Sequence, residues 1–181
     1  MFKKFKVKMT TKNICMMAMF ISLEIILECI DKLWPSMPQG GTLSTSLSAI
    51  FLCAYLMGVG YGVIVGISTC ILQFVLGMAN YWGFWSILLD YLLPLSICGL
   101  APLIKSVRIT KQFELHLGLI FVTLLKFIPH YLSGAILFAS HAGDMNPYLY
   151  SFIYNAPYVA ISGIVCLFLC GFLYPRLEKS F

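Results

Sequence analysis

The chain has 181 residues, of which 60% are hydrophobic and only 10% are charged, and its mean hydropathy is +0.91. This composition excludes a water-soluble globule, because there is too little polar surface to cover one of this size, and it indicates a single integral membrane domain over residues 1–181. The net charge of +5 is explained by basic residues on one side of a membrane, so it gives no reason to expect a nucleic-acid partner.

Six apolar runs approach the roughly 20 residues that a helix needs to cross the hydrocarbon core. They predict an all-α membrane protein with six transmembrane helices, at about 13–33, 44–59, 61–78, 84–104, 115–139 and 149–174. The lysine-rich start is typical of a signal peptide, but no small-residue cleavage site follows it, so the first run is predicted to remain as a span. Spans two and three share one run, which requires a tight turn in the glycine-rich stretch 58–62.

Basic residues mark one side of this arrangement. Five precede span one, three lie between spans four and five, and two follow span six, which makes ten of the twelve. By the positive-inside rule, both termini are predicted to be cytoplasmic, and the outer side receives the loops 34–43, 79–83 and 140–148. The same residues are expected to attract anionic membrane lipid.

Sequence signatures of catalysis are missing. No Gly-x-x-x-x-Gly-Lys-Ser/Thr loop is present, so the chain cannot hydrolyse ATP by a P-loop mechanism, and neither Gly-x-Ser-x-Gly nor His-Glu-x-x-His occurs. The seven cysteines lie within apolar runs without a Cys-x-x-Cys pair, which favours packing over disulfide or metal chemistry. We therefore expect neither an enzyme, nor a cofactor, nor a bound metal ion.

The stretch Val59-Gly-Tyr-Gly62 copies four letters of the potassium-channel filter. No pore helix precedes it, and the predicted topology puts it at the cytoplasmic face. Gly58, Gly62 and Gly66 have the four-residue spacing of a surface for close helix approach instead, and we favour that interpretation.

Ionisable residues within the predicted spans each need a partner or a function, because a charge at the helix centre costs about 2.5–3.5 kcal/mol on the insertion scale. They are Glu24, Glu28, Asp31, Asp90, Lys126 and His130. Glu24 and Lys126 both lie near mid-membrane and have opposite signs, which makes an ion pair between them a hypothesis. Lys126 could equally serve Asp90 or extend to the membrane surface. Glu28 and Asp31 are predicted nearer the outer end, within reach of water.

Asp90 and His130 are predicted at similar depths below the outer surface. The side chains expected around them are Tyr91, Phe138, Tyr148, Tyr150, Tyr154 and Asn155. A carboxylate, an imidazole, an amide and several aromatic faces suit a flat cationic heteroaromatic ligand, since each aromatic face attracts a cation by about 0.5–2 kcal/mol. Taken singly, Asp90 could equally be a tether between helices, and His130 a core histidine.

These residues belong to short motifs that together resemble the thiamine-specific substrate-binding component (S component) of energy-coupling-factor (ECF) transporters. The motifs are Met37-Pro-Gln-Gly-Gly41, Leu88-Leu-Asp-Tyr91, Cys98-Gly-Leu-Ala101, Lys126-x-x-x-His130-x-x-x-Gly134 and Tyr150-Ser-x-x-x-Asn155. The resemblance covers nearly the whole length of the chain, in the order and spacing of that family.

The resemblance implies a six-helix protein of the bacterial cell membrane that captures thiamine from outside, near the outer face. The ligand contacts of the family fall on Asp90, Tyr91, His130, Phe138, Tyr150 and Asn155, with one more at Asn80 or Tyr81. Relatives also carry Glu at the position of Asp90 and Trp at that of Phe138. The shorter acid reaches about one methylene less, and Phe keeps a stacking face while losing the indole donor.

The resemblance also implies partners, namely a transmembrane coupling subunit and two ATP-binding cassette ATPases. The coupling subunit is expected to contact two small residues of span one, Ala18 and Ser22, in the pattern Ala-x-x-x-Ser. Two other interpretations remain open. One is an S component for another vitamin or a thiamine precursor, and the other is a self-sufficient proton-coupled carrier that uses Glu24, Lys126 and His130 as a relay.

Overall fold

The computed structural model describes residues 5–37 and 41–181. In these residues the chain forms six main helices, one overlapping each predicted apolar run. They are α1 (Thr11–Asp31), α2 (Leu47–Met57), α3 (Val59–Val75), α4 (Phe84–Cys98), α5 (Leu117–Ile136) and α6 (Pro147–Leu177). Two short 3-10 turns lie at Ala101–Leu103 and Ala139–Ala142, and an antiparallel hairpin pairs Val107–Arg108 with Glu114–Leu115.

Three of the described helices are long and apolar enough to cross a membrane. These are α1, α5 and α6, with 21, 20 and 31 residues. The helices α2, α3 and α4 are apolar but shorter. The structure is thus mostly helical and consistent with an all-α membrane protein, in which full-length apolar helices and shorter ones pack together.

The shortest of these helices, α2, lies at the centre of the packing. Its residues from Leu47 to Ala54 are all buried, and it contacts α1, α3 and α6. A helix that is apolar all round is stable only when it is covered on every side, which is the position α2 occupies. The large side chains Ile50 and Phe51 form the middle of this core.

A single residue joins α2 to α3. Gly58 has a φ of +116°, which lies in the region that only glycine adopts readily, so the tight turn predicted in this stretch is confirmed. The channel-like letters that follow form the first turn of α3 and not an extended filter. A Cβ on Gly62 would lie 2.5 Å from that of Ala54, so this glycine permits the close approach of α2 and α3.

Two cysteines of α6 tie that helix to the segment before and at the start of α2. The thiol of Cys166 donates to the carbonyl of Ser44 at 3.3 Å, and that of Cys170 to the carbonyl of Ser48 at 3.8 Å. All seven cysteines of the chain are free thiols. These two act as small packing residues with weak donors, as the sequence predicted.

Candidate ligand-binding site

A cavity of about 400 Å³ lies between the helices, and residues of the connecting loops, among them Ser36, Thr42 and Trp82, also line it. Its size is within the range of small-molecule sites, which is roughly 300–1,000 Å³. Its aromatic lining residues are Trp82, Tyr91, Phe138, Tyr150, Tyr154 and Tyr158. Its ionisable residues, apart from these tyrosines, are Glu28, Lys32, Asp90, Lys126 and His130. In the described part of the chain, no group of three or more His, Cys, Asp and Glu residues is placed to hold a metal ion.

Asp90 lies on a π-helical turn, Ile87–Leu92, in the middle of α4. Such turns are rare and occur often at functional sites. The Oδ2 atom of Asp90 accepts hydrogen bonds from the hydroxyls of Ser86 and Ser133, each at 2.8 Å. Because Ser133 belongs to α5, Asp90 joins two helices and also lines the cavity, so the tether and the ligand contact are compatible interpretations.

The Oδ1 atom of Asp90 faces His130 of α5, with 3.6 Å between Oδ1 and Nδ1. This distance exceeds a hydrogen bond, so neither group has its bonding capacity filled by the other. The ring of His130 also meets Tyr158 edge-on, at 6.1 Å between centroids. The structure therefore brings the predicted acid and imidazole together on one wall of the cavity.

The neighbouring wall comes from α6, which packs against α5. The amide of Asn155 donates to the carbonyl of Ser151 at 2.9 Å, and its oxygen accepts from the hydroxyl of Tyr158. The rings of Tyr150 and Tyr154 lie 6.0 Å apart along the same face. These two hydrogen bonds fix the orientation of the Asn155 side chain.

A close approach of α5 and α6 sets the width of the cavity at this level. A Cβ on Gly134 would lie 2.3 Å from Oγ of Ser151 and 2.9 Å from Nδ2 of Asn155. Only a glycine allows this contact without displacing Asn155.

Phe138 and Trp82 form the aromatic rim. Phe138 is buried, and its ring meets that of Trp82 edge-to-face at 5.7 Å. Trp82 is not among the ligand contacts expected from the sequence, because an aromatic residue in an outer loop can equally meet membrane lipid or a cavity. Tyr158 was also missed, although the four-residue spacing of Tyr150, Tyr154 and Tyr158 places all three on one helix face.

The two candidates from the loop 79–83 differ in position. Asn80 lines the cavity, and its backbone N–H donates to the hydroxyl of Tyr91 at 2.8 Å. Tyr81 is 67% exposed and lies outside the cavity lining, as does the exposed Tyr148. Of the motif 37–41, residues 38–40 lie outside the described residues.

The hypothesis of an ion pair between Glu24 and Lys126 is wrong. Glu24 is fully buried and accepts a hydrogen bond from Gln73 at 2.9 Å, and the described residues contain no ion pair between Glu24 and Lys126. The reason is the packing of α1 on α3, which places a neutral amide beside Glu24. Lys126 lines the cavity with Glu28 and His130, whereas Glu24 does not.

Asp31 is fully buried, which corrects the prediction that water reaches it. Its Oδ1 accepts from the hydroxyl of Thr45 at 2.6 Å and its Oδ2 from the backbone N–H of Ser46 at 2.8 Å. Ser46 is the N-cap residue of α2 and makes no cap of its own through its side chain. Asp31 therefore caps α2 from the end of α1 and secures the segment that covers the cavity.

Ala18 and Ser22 lie on the exposed face of α1, away from the cavity. Their small side chains leave the helix backbone accessible on that face.

Comparisons with known proteins give one consistent family. Residues 14–181 match the family described as thiamine transporter protein (Thia_YuaJ). The thiamine transporter ThiT of Bacillus subtilis (strain 168) is 30% identical over 176 residues, which cover 90% of this chain and 92% of that protein. A solved structure of ThiT from Listeria monocytogenes matches with a TM-score of 0.70 over 93% of both chains, at 14% identity, which shows a common fold. Because the family match extends over nearly the whole sequence, the chain belongs to the thiamine transporter protein (Thia_YuaJ) family.

Proposed function

We propose that this chain is the thiamine-binding, substrate-specificity subunit of an ATP-driven ECF-type vitamin importer. The observation that carries the proposal is the cavity of about 400 Å³, in a chain of a thiamine transporter family, that combines Asp90, His130 and Asn155 with aromatic faces. Thiamine is a cation with two flat heteroaromatic rings, one of which carries an amine. Each of these features has a complement among the lining residues.

The proposed contacts follow from this chemistry. Aromatic faces at Tyr91, Phe138 and Tyr150 stack on the rings and attract the positive charge. Asp90 compensates the charge or accepts from the amine. His130 and Asn155 read ring nitrogens and amine hydrogens. A further contact comes from Asn80 or Tyr81, and the cavity position of Asn80 favours Asn80. In a site shielded from water, each correctly placed polar group contributes more than it would at a surface.

We place the protein in a bacterial cell membrane as a multi-pass protein, with six spans and both termini in the cytoplasm. The distribution of basic residues supports this orientation, and the relatives from Bacillus subtilis and Listeria monocytogenes are bacterial. The cavity then opens toward the outside, where the vitamin is captured.

The energy for import comes from partners in this proposal, since the sequence has no phosphate loop. The exposed face of α1 with Ala18 and Ser22 docks on the transmembrane coupling subunit, which links the chain to two ATP-binding cassette ATPases. Small residues on both sides allow the close helix contact that is typical of association in lipid.

Ligand identity is tested by titrating the purified protein with thiamine while following tryptophan fluorescence. Asp90→Asn is expected to weaken binding at least about tenfold, because removing one partner of a desolvated charge contact costs about 2–5 kcal/mol. The matched control is Asp144→Asn, which removes an exposed aspartate outside the cavity and is expected to leave the affinity unchanged. Saturable quenching that is the same in wild type and Asp90→Asn would exclude the site assignment.

Dependence on partners is tested by reconstitution into vesicles. The chain alone is expected to take up no thiamine under an imposed proton gradient, and uptake is expected once the coupling subunit and both ATPases are present with ATP. Uptake by the chain alone would instead identify a proton-coupled carrier.

A further inference from the structure

We infer that Ser86 and Ser133 are positioning residues for ligand binding, which act by reserving one oxygen of Asp90 for the protein and leaving the other for the ligand. This inference rests on the proposed function, since it concerns how the same cavity holds its ligand. Neither serine is among the contacts expected from the sequence.

The geometry assigns different tasks to the two carboxylate oxygens. Both serine hydroxyls donate to Oδ2 of Asp90, at 2.8 Å each, whereas Oδ1 makes no hydrogen bond to any residue that the structure describes and faces the imidazole of His130 at 3.6 Å. An ionised carboxylate oxygen accepts about two hydrogen bonds, so the serines fill Oδ2. Oδ1 can still accept hydrogen bonds from a ligand. It lies beside the imidazole of His130, the second polar group proposed to contact the ligand.

The two serines hold Asp90 from different directions. Ser86 precedes it by four residues on α4, and Ser133 belongs to α5. Both serines are 1% exposed, so solvent does not compete for their hydroxyls. A side chain bound from its own helix and from a neighbouring helix keeps one rotamer, and a preorganised acceptor binds more tightly than one that must be ordered by the ligand.

The arrangement also accounts for an aspartate at this position. A short acid cannot extend far into a cavity, so its reach depends on which way the carboxylate is turned. The π-helical turn carries the backbone of Asp90, and the serine bonds orient its head. Loss of either bond would leave the oxygen toward the ligand less well placed. Both serines also line the cavity, so the test must separate an effect through Asp90 from a direct contact with the ligand.

The test is a double-mutant cycle on thiamine affinity, measured by calorimetry on the detergent-purified chain. Ser133→Ala and Ser86→Ala are each made in the wild-type and in the Asp90→Ala background. In wild type each is expected to weaken binding about tenfold, the size of a hydrogen bond to a charged group. In Asp90→Ala each is expected to cost less than about twofold, because the residue through which the serine acts is gone.

A matched control is Ser96→Ala. Ser96 lies on α4, as Ser86 does, but outside the cavity, and its hydroxyl donates to the carbonyl of Leu92. Its affinity is expected to equal that of wild type. The thermal unfolding temperature of each variant is recorded in parallel, to identify any variant that does not fold. Each serine has its own double-mutant cycle, so the inference is tested even if only one of the two serine variants folds.

Equal costs in both backgrounds would mean that the serines act on the ligand or on the fold without Asp90, and would overturn the inference. No cost in the wild-type background would overturn it as well. In both cases thiamine still binds the wild-type chain, and the proposed function stands. A wild-type chain that does not bind thiamine overturns the proposed function, and this inference with it.

Discussion

The buried carboxylate of Asp31 offers a sharp test of how the cavity cover is held in place. Asp31→Asn preserves the shape of the side chain but replaces one acceptor oxygen with an amide that donates. If the amide nitrogen turns to Ser46, the backbone N–H of Ser46 faces a donor; if it turns to Thr45, the hydroxyl must accept from the amide instead of donating. The variant also removes a negative charge from the N-terminus of α2, where the helix dipole stabilises it.

The magnitude follows from these losses. A lost helix cap costs about 0.5–2 kcal/mol, and a buried N–H without an acceptor costs about 1–3 kcal/mol. Because the two figures describe overlapping effects, we expect Asp31→Asn to lower the free energy of unfolding by about 1–3 kcal/mol in total. For a chain of this size, 1 kcal/mol corresponds to about 2–4 °C, so the unfolding temperature is expected to fall by about 2–12 °C.

The assay is thermal unfolding of the purified protein in detergent, combined with the rate of thiamine release. The segment 41–46 lines the cavity at Gly41, Thr42 and Ser44, so looser anchoring of this segment is expected to speed release. Thr45→Val is the control, because it removes one donor while the carboxylate still caps Ser46, and a smaller shift is expected. An Asp31→Asn variant as stable as wild type, or more stable, would refute the role of Asp31 as a cap.

Three further variants test the walls of the cavity. Gly134→Ala adds a Cβ that would lie 2.3 Å from Oγ of Ser151, so weaker thiamine binding is expected in a titration; unchanged affinity would mean that the α5–α6 contact is not tight. Trp82→Phe is expected to abolish the fluorescence response to thiamine, whereas Trp34→Phe and Trp85→Phe keep it, since Trp82 alone of the three lines the cavity. Tyr81→Ala is expected to leave the affinity within about twofold of wild type, because this side chain lies outside the cavity lining; a larger loss would show that it reaches the ligand.

Distances along the chain were sufficient to predict part of this site. Counting residues from the ends of the apolar runs puts Asp90 and His130 at a similar depth, and the structure brings them to 3.6 Å. The turn at Gly58 likewise followed from one apolar run that is too long for a single span. Both predictions concern position along a helix axis, which a period of 3.6 residues and a rise of 1.5 Å define well.

Neighbours across helices were not predictable in the same way. Glu24 meets Gln73 because α1 packs on α3, and nothing in the periodicity of either helix distinguishes that neighbour from Lys126. The burial of Asp31 had a similar cause, since its two hydrogen-bond donors come from a loop whose path the sequence does not define. The side that a helix turns toward its neighbours is decided by the packing of the whole bundle.

The central claim is that the cavity of this chain binds thiamine, and calorimetric titration of the purified wild-type chain tests it most directly. We expect one thiamine per chain with saturable heat, and no heat with riboflavin or biotin at the same concentrations. The absence of a thiamine signal from a folded, monodisperse sample would contradict the claim, and a signal from another vitamin would redirect it to that ligand.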